Sequence, residues 1–169
     1  MTKYFFTVAT VLSMFCQKVN GQAATKNIRP DIDSIISKLR KEPLLHLGLP
    51  VGYGGIPEFK NQYYKLYLQL TAKATNDELV SMANDSIKTI VLYSFLILHS
   101  RNYSGLKDIF LNHIQDESEV WIASGCTGKN VRVNAFMLNQ LNPSYLDSRQ
   151  PYITQEEYDK YLRELRQRQ

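Results

Sequence analysis

Cysteine is almost missing from this chain: two among 169 residues, Cys16 and Cys126. Cys16 sits in an N-terminal apolar run that is expected to be removed, which leaves one thiol, excludes an intramolecular disulfide and makes packing the source of stability. Long apolar stretches are missing too. The run 4–16 (YFFTVATVLSMFC) is about 13 residues, short of the roughly 20 that a helix needs to cross a bilayer. Charge of one sign is not concentrated, with 20 Lys and Arg against 16 Asp and Glu and no basic stripe, so nothing marks a nucleic-acid binder. A phosphate loop is lacking as well. The stretch 123–130 (ASGCTGKN) keeps Gly128-Lys129 but has Ala123 where the first Gly is needed and Asn130 where the hydroxyl that holds magnesium belongs.

What is present begins with Lys3, the apolar run and a polar stretch ending Val19-Asn20-Gly21-Gln22. This is the three-part order of a secretory signal peptide covering residues 1–21, with cleavage after Gly21. Met14 and Phe15 before Cys16 are too large for the narrow approach a lipoprotein thiol requires. Cleavage leaves 18 basic against 16 acidic residues, in a chain long enough for one domain with a real core. The expected location is the periplasm or the outside of the cell. A lone Cys126 in such an oxidising compartment is expected to be shielded in a Gly-flanked turn, with Lys129 outward.

Residues 22–29 (QAATKNIR) hold little apolar content and read as a disordered mature N-terminus, ahead of a single α-helical domain over 30–169. Pro30 starts a helix with Ile32, Ile35, Ile36 and Leu39 on one stripe. The stretch 44–57 (LLHLGLPVGYGGIP) reads as a long apolar loop, because its glycines and prolines suit no regular element. Pro57 then opens a helix running to about Ala74, with Phe59, Tyr63, Leu66, Tyr67 and Leu70 at helical spacing. Thr75 and Glu78 have the order of a capping box. The run 90–98 (IVLYSFLIL) is apolar on every side but for Ser94, so its helix has no wet face and belongs at the centre. A turn at 101–105 leads to a return helix with Leu106, Ile109, Phe110 and Ile114. Val120-Trp121-Ile122 suits a short extended piece within 119–124. Val131, Ala135, Leu138 and Leu141 suit a helix, although VRVN alone suits a strand. A second capping box, Thr154 with Glu157, starts the last helix. The fold class is therefore mainly all-α, a small domain of antiparallel helix hairpins.

Few side chains are candidates for chemistry. A thiol nucleophile at Cys126 needs a histidine base, and His46, His99 and His113 are the choices, with His99 and His113 as its alternative partners. The same two histidines are not expected to share a metal. Hairpin geometry offsets them by about 10 Å at roughly 1.5 Å per residue, against the roughly 4 Å between ligands of one zinc ion. Asp116, Glu117 and Glu119 show no calcium-loop spacing and read as a solvated loop. No cofactor and no metal are expected. Tyr53, Gly54 and Gly55 form a possible binding loop. Asn84-Asp85-Ser86 and Asn102-Tyr103-Ser104 match the N-glycosylation triplet, which applies only in a eukaryotic source.

The region from Thr75 to about Tyr145, with TIVLYSFLILHSRNYSGLKDIFLNHIQDESEV, then SGC and VNAFML, resembles exported HEAT-like or armadillo-like α-helical proteins of unknown function from Gram-negative bacteria. The resemblance implies a fold and a compartment and carries no activity. Leu92, Ser94 and Phe95 depart from it by standing where a smaller, Ala-rich face is expected. The function expected is non-enzymatic, an interaction or scaffold protein whose partner is another envelope or extracellular protein, with no nucleic acid and no membrane span in the mature chain. The alternative is a small secreted hydrolase or thiol enzyme using Cys126 with a histidine.

Overall fold

Ile32, Ile35, Ile36 and Leu39 are all buried, and they define α1, Pro30–Leu39, with Pro30 in the first turn where its missing N–H is no loss. The computed structural model describes residues 28–47, 60–124, 127–145 and 151–168. Within these the chain runs through β1 (Leu44–His46), α2 (Gln62–Lys73), α3 (Asn76–Met82), α4 (Lys88–Ser100) and α5 (Leu106–Asn112). It continues through β2 (Glu119–Ser124), β3 (Thr127–Arg132), α6 (Val133–Gln140), a short 3-10 turn (Pro143–Tyr145) and α7 (Gln155–Arg166). The fold is mainly helical, as expected, but it carries a three-stranded sheet where the sequence suggested one short extended piece.

The sheet order is β1-β2-β3, with β1 parallel to β2 and β3 antiparallel to it. Leu44–His46 is thus a strand and not the start of an irregular loop: Leu45 pairs with Ile122, and both face the core. Residues 48–57 of that expected loop lie outside the described residues, as do residues 1–27. Ile28 packs against the core and Arg29 is tied to Glu78, so these two residues of the stretch 22–29 belong to the folded unit.

Two helix starts differ from the sequence reading. Asn61 caps α2, its side-chain oxygen accepting from the N–H groups of Tyr63 and Tyr64, so the helix begins at Gln62 and not at Pro57. Val131 pairs with Val120 in the sheet, and α6 starts only at Val133. The β-branched pair 131 and 133 suits either period, and pairing across the hairpin decides for strand up to Arg132. Both capping boxes form, at Thr75 with Glu78 and at Thr154 with Glu157. Among the described residues no helix is long and apolar enough to cross a membrane.

α4 is the central element. Thr89, Ile90, Val91, Leu92, Tyr93, Ser94, Phe95, Ile97 and Leu98 are all buried, and Leu96 is partly so. Ser94, its polar exception, is satisfied within the helix by donating to the Val91 carbonyl at 2.8 Å. The helix ends in a Schellman turn: Tyr103 N–H bonds the Leu98 carbonyl and Asn102 N–H the His99 carbonyl, both at 3.0 Å. Asn102 takes the left-handed conformation this turn requires, with φ of 55°. α7 closes the far side, with Phe110 meeting Tyr161 edge-on at 5.3 Å and Lys107 bonded to Glu157 at 2.6 Å.

Candidate functional site

A buried polar cluster gathers around His46, at the end of β1. Its backbone N–H donates to the Tyr93 hydroxyl at 2.9 Å, which ties the strand to the middle of α4. Its ring stacks on Tyr63 with centroids 5.2 Å apart and an interplanar angle of 17°. Asn61 Nδ2 lies 3.0 Å from His46 Nδ1. On the other side Glu42 Oε1 stands 3.8 Å from Nε2, beyond hydrogen-bond length but within reach of charge attraction. Tyr67 packs against Tyr93 at 5.5 Å and completes an aromatic wall.

The hydrogen bonds fix the protonation pattern. Asn61 Oδ1 accepts from the Tyr63 and Tyr64 amides, both at 3.1 Å, and amide N–H groups can only donate. The Asn61 NH2 therefore faces His46, and Nδ1 must present its lone pair to it. The ring is neutral in this arrangement, with its proton on Nε2 toward Glu42. Burial holds the imidazole below its ordinary 6.5, with the Glu42 carboxylate opposing. Burial likewise pushes the Tyr93 and Tyr67 hydroxyls up, so both stay protonated across the physiological range. The cluster thus has one nitrogen engaged by an amide and one facing a carboxylate, buried at 7 % exposure. That arrangement holds β1 to α2.

The other histidines are held in the fold at separate places. His113 Nε2 bonds the Ala83 carbonyl at 2.7 Å and Nδ1 lies 3.3 Å from Asp116, which itself bonds Lys88 at 2.7 Å. Asp116 is thereby an ion-pair partner at the start of α4, not part of a solvated loop. Burial would raise its carboxyl, but Lys88 and Ser118 win and hold it at about 2. His99 lies near the other end of α4, its ring against Tyr152 at 5.5 Å and its carbonyl accepting from the Tyr152 hydroxyl. His113, His46 and His99 therefore meet the start, middle and end of a 13-residue helix that spans about 18 Å, and no two of them share a site. Gly125 and Cys126, the two residues that join β2 to β3 by register, lie outside the described residues, as do Tyr53, Gly54 and Gly55. Among the described residues no group of three His, Cys, Asp or Glu side chains could hold a metal ion.

Outside the interior four large apolar side chains are exposed among the described residues, Leu47, Leu68, Trp121 and Tyr145. Trp121 is 44 % exposed on the outer face of the β2–β3 hairpin, where it pairs with Leu44 on one side and Asn130 on the other. Its indole lies over Gly128, one diagonal step along β3, where an added Cβ would meet the Trp121 ring atoms Cε2 and Cζ2 at 2.6 Å. Only glycine admits the ring at that distance. Gly128→Ala should push the indole aside without unfolding the hairpin, at a cost under about 1 kcal/mol. Tryptophan emission reads the displacement, and unchanged emission would mean that the ring does not rest on the glycine.

Of these residues the sequence named only His46 as a candidate for chemistry, one of three possible bases for Cys126; Glu42, Asn61 and Trp121 were not singled out as a site. The one available signal was Asn61, a capping residue just ahead of the apolar positions of α2. No family model matches this chain, and neither a curated protein nor a solved structure matches it.

Proposed function

We propose that this chain is an exported, non-enzymatic helical protein that acts by docking another envelope or extracellular protein. The observation that carries this reading is Trp121, 44 % exposed on a sheet face and the tryptophan among four large apolar side chains, with Leu47, Leu68 and Tyr145, that are exposed among the described residues. Tryptophan is enriched at the energetic centres of protein interfaces, where a flat ring gains much contact at little entropic cost. The finer reading, of a HEAT-like unit, draws support from α3, α4 and α5, consecutive short helices that pack in sequence order. The β1-β2-β3 sheet is not an element of a helical repeat of that kind. Against the enzyme reading stands the engagement of both His113 ring nitrogens, and of Nδ1 of His46, by groups of the fold itself.

A photo-crosslinking residue at position 121, compared with one at exposed Lys160 on α7, tests the proposal in the native cell envelope. A discrete adduct at 121 that is absent at 160 and survives Cys126→Ala is the expected result. Equal labelling at both positions, or an adduct that requires Cys126, would sink it.

A further inference from the structure

We propose that His46 is a proton-operated latch: a second proton on its ring sets Asn61 the choice between the histidine and the first turn of α2, so acidification uncaps the helix that neutral conditions hold against β1. The proposal rests on how many partners Asn61 serves. Its oxygen accepts from two backbone amides of α2 and its NH2 from the same side-chain amide donates to His46 Nδ1. A proton on Nδ1 would place donor against donor across 3.0 Å. Turning the amide over would repair that contact but set an NH2 group against the Tyr63 and Tyr64 N–H groups, and the cap would be lost.

The surroundings make the choice hard to avoid. Asn61 is 6 % exposed and His46 7 %, so bulk water cannot take over either contact. From the turn after α1, the Glu42 carboxylate faces Nε2 and favours the charged ring. From α4 the Tyr93 hydroxyl accepts the His46 backbone N–H and binds no ring nitrogen. From α2 the Tyr63 ring lies flat on the imidazole, with Tyr67 behind it against Tyr93. From β2 the register neighbour is Ala123, which carries no charge. Glu42 is therefore the only ionised group facing the ring from the described elements. It supplies the attraction that makes protonation reachable, while the Asn61 contact ties that protonation to the helix end.

The direction of the pH effect follows. With the folded ring held below 6.5, the unfolded chain takes up the proton first as pH falls. The stability contributed by the latch is whole above about 6.5 and is lost as pH falls through that value toward the folded pKa.

Long-range proton–nitrogen correlation spectra of the imidazoles, recorded together with backbone amide shifts along a pH titration, test it. The expected results are a His46 ring protonated on Nε2 at neutral pH, and Tyr63 and Tyr64 amides that move with the same midpoint as that ring. In Asn61→Asp one carboxylate oxygen can still cap α2 while the other accepts from a protonated Nδ1. The His46 midpoint should then rise above that of the parent, and the two amides should cease to follow it. A ring protonated on Nδ1 at neutral pH, amides that ignore the His46 titration, or an unmoved midpoint in Asn61→Asp would each overturn the proposal. The parent spectra decide alone should that variant not fold.

Discussion

Leu92→Asp is expected to leave no folded protein, whereas Leu96→Asp, one turn along the same helix, is expected to leave a folded and weakened one. Both lie in the run 90–98, which the sequence marks as having no wet face. The structure separates them: Leu92 is 0 % exposed, while Leu96 is the one residue of that run that is only partly buried. An unpaired carboxylate at Leu92 would be fully buried, and burying such a charge costs several kcal/mol or more. Against a total stability of roughly 5–15 kcal/mol that is enough to unfold the domain. At Leu96 the side chain can turn its carboxylate toward water and lose only part of its packing. Circular dichroism with urea titration distinguishes the two, and a cooperative transition in Leu92→Asp equal to that of the parent would mean α4 is not the centre of the core.

Glu78→Ala should be the most costly change to a polar residue, on the order of 2–3 kcal/mol. Glu78 is 5 % exposed, and its carboxylate accepts from the Arg29 backbone N–H and guanidinium and from the Thr75 N–H and hydroxyl, at distances between 2.8 and 3.1 Å. Arg29 is half-exposed, so the attraction between the charges themselves contributes little. The loss comes from leaving the Thr75 and Arg29 backbone donors without their acceptor and from breaking the capping box of α3. The guanidinium chiefly, against the opposing pull of burial, holds the Glu78 carboxyl at about 2, well below 4.5. The unfolded chain therefore takes the proton first, and the contribution is whole above about 4.5 and disappears as pH falls toward 2. Urea midpoints of parent and variant should converge over that range. A variant within about 0.5 kcal/mol of the parent at neutral pH would show that the carboxylate is not the clamp.

The helices of this fold were largely legible because their determinants are local. Pro30 with the stripe from Ile32 to Leu39, and the Thr75 and Thr154 capping boxes, place the starts of three helices within a residue of those observed. The sheet was not legible for the opposite reason. Leu44–His46 is a three-residue piece, too short to show an alternation, and its strand character exists only through pairing with Trp121, Ile122 and Ala123, far along the chain. The His46 cluster was hidden by a misplaced boundary. With the helix started at Pro57, Asn61 falls in its interior, where its side chain would have no cap to make and no histidine to hold. Trp121 was read only for its β propensity, which cannot say which face of a strand meets water.

The parallel pairing of β1 with β2 also bears on the order in which the molecule assembles. The two strands are separated along the chain by α2, α3, α4 and α5, so no neighbouring hairpin can nucleate their contact. The chain between them must first be gathered in by helix packing, since the entropy of closing so long a loop is spent before a three-residue strand returns any hydrogen bonds. The β2–β3 hairpin and the helical stretch can each begin from short-range contacts, whereas the seam at Leu44, Leu45 and His46 closes only once both stand in place. Refolding from denaturant should accordingly show early helix formation, with Trp121, which pairs directly with Leu44, reaching its native environment in the slowest step.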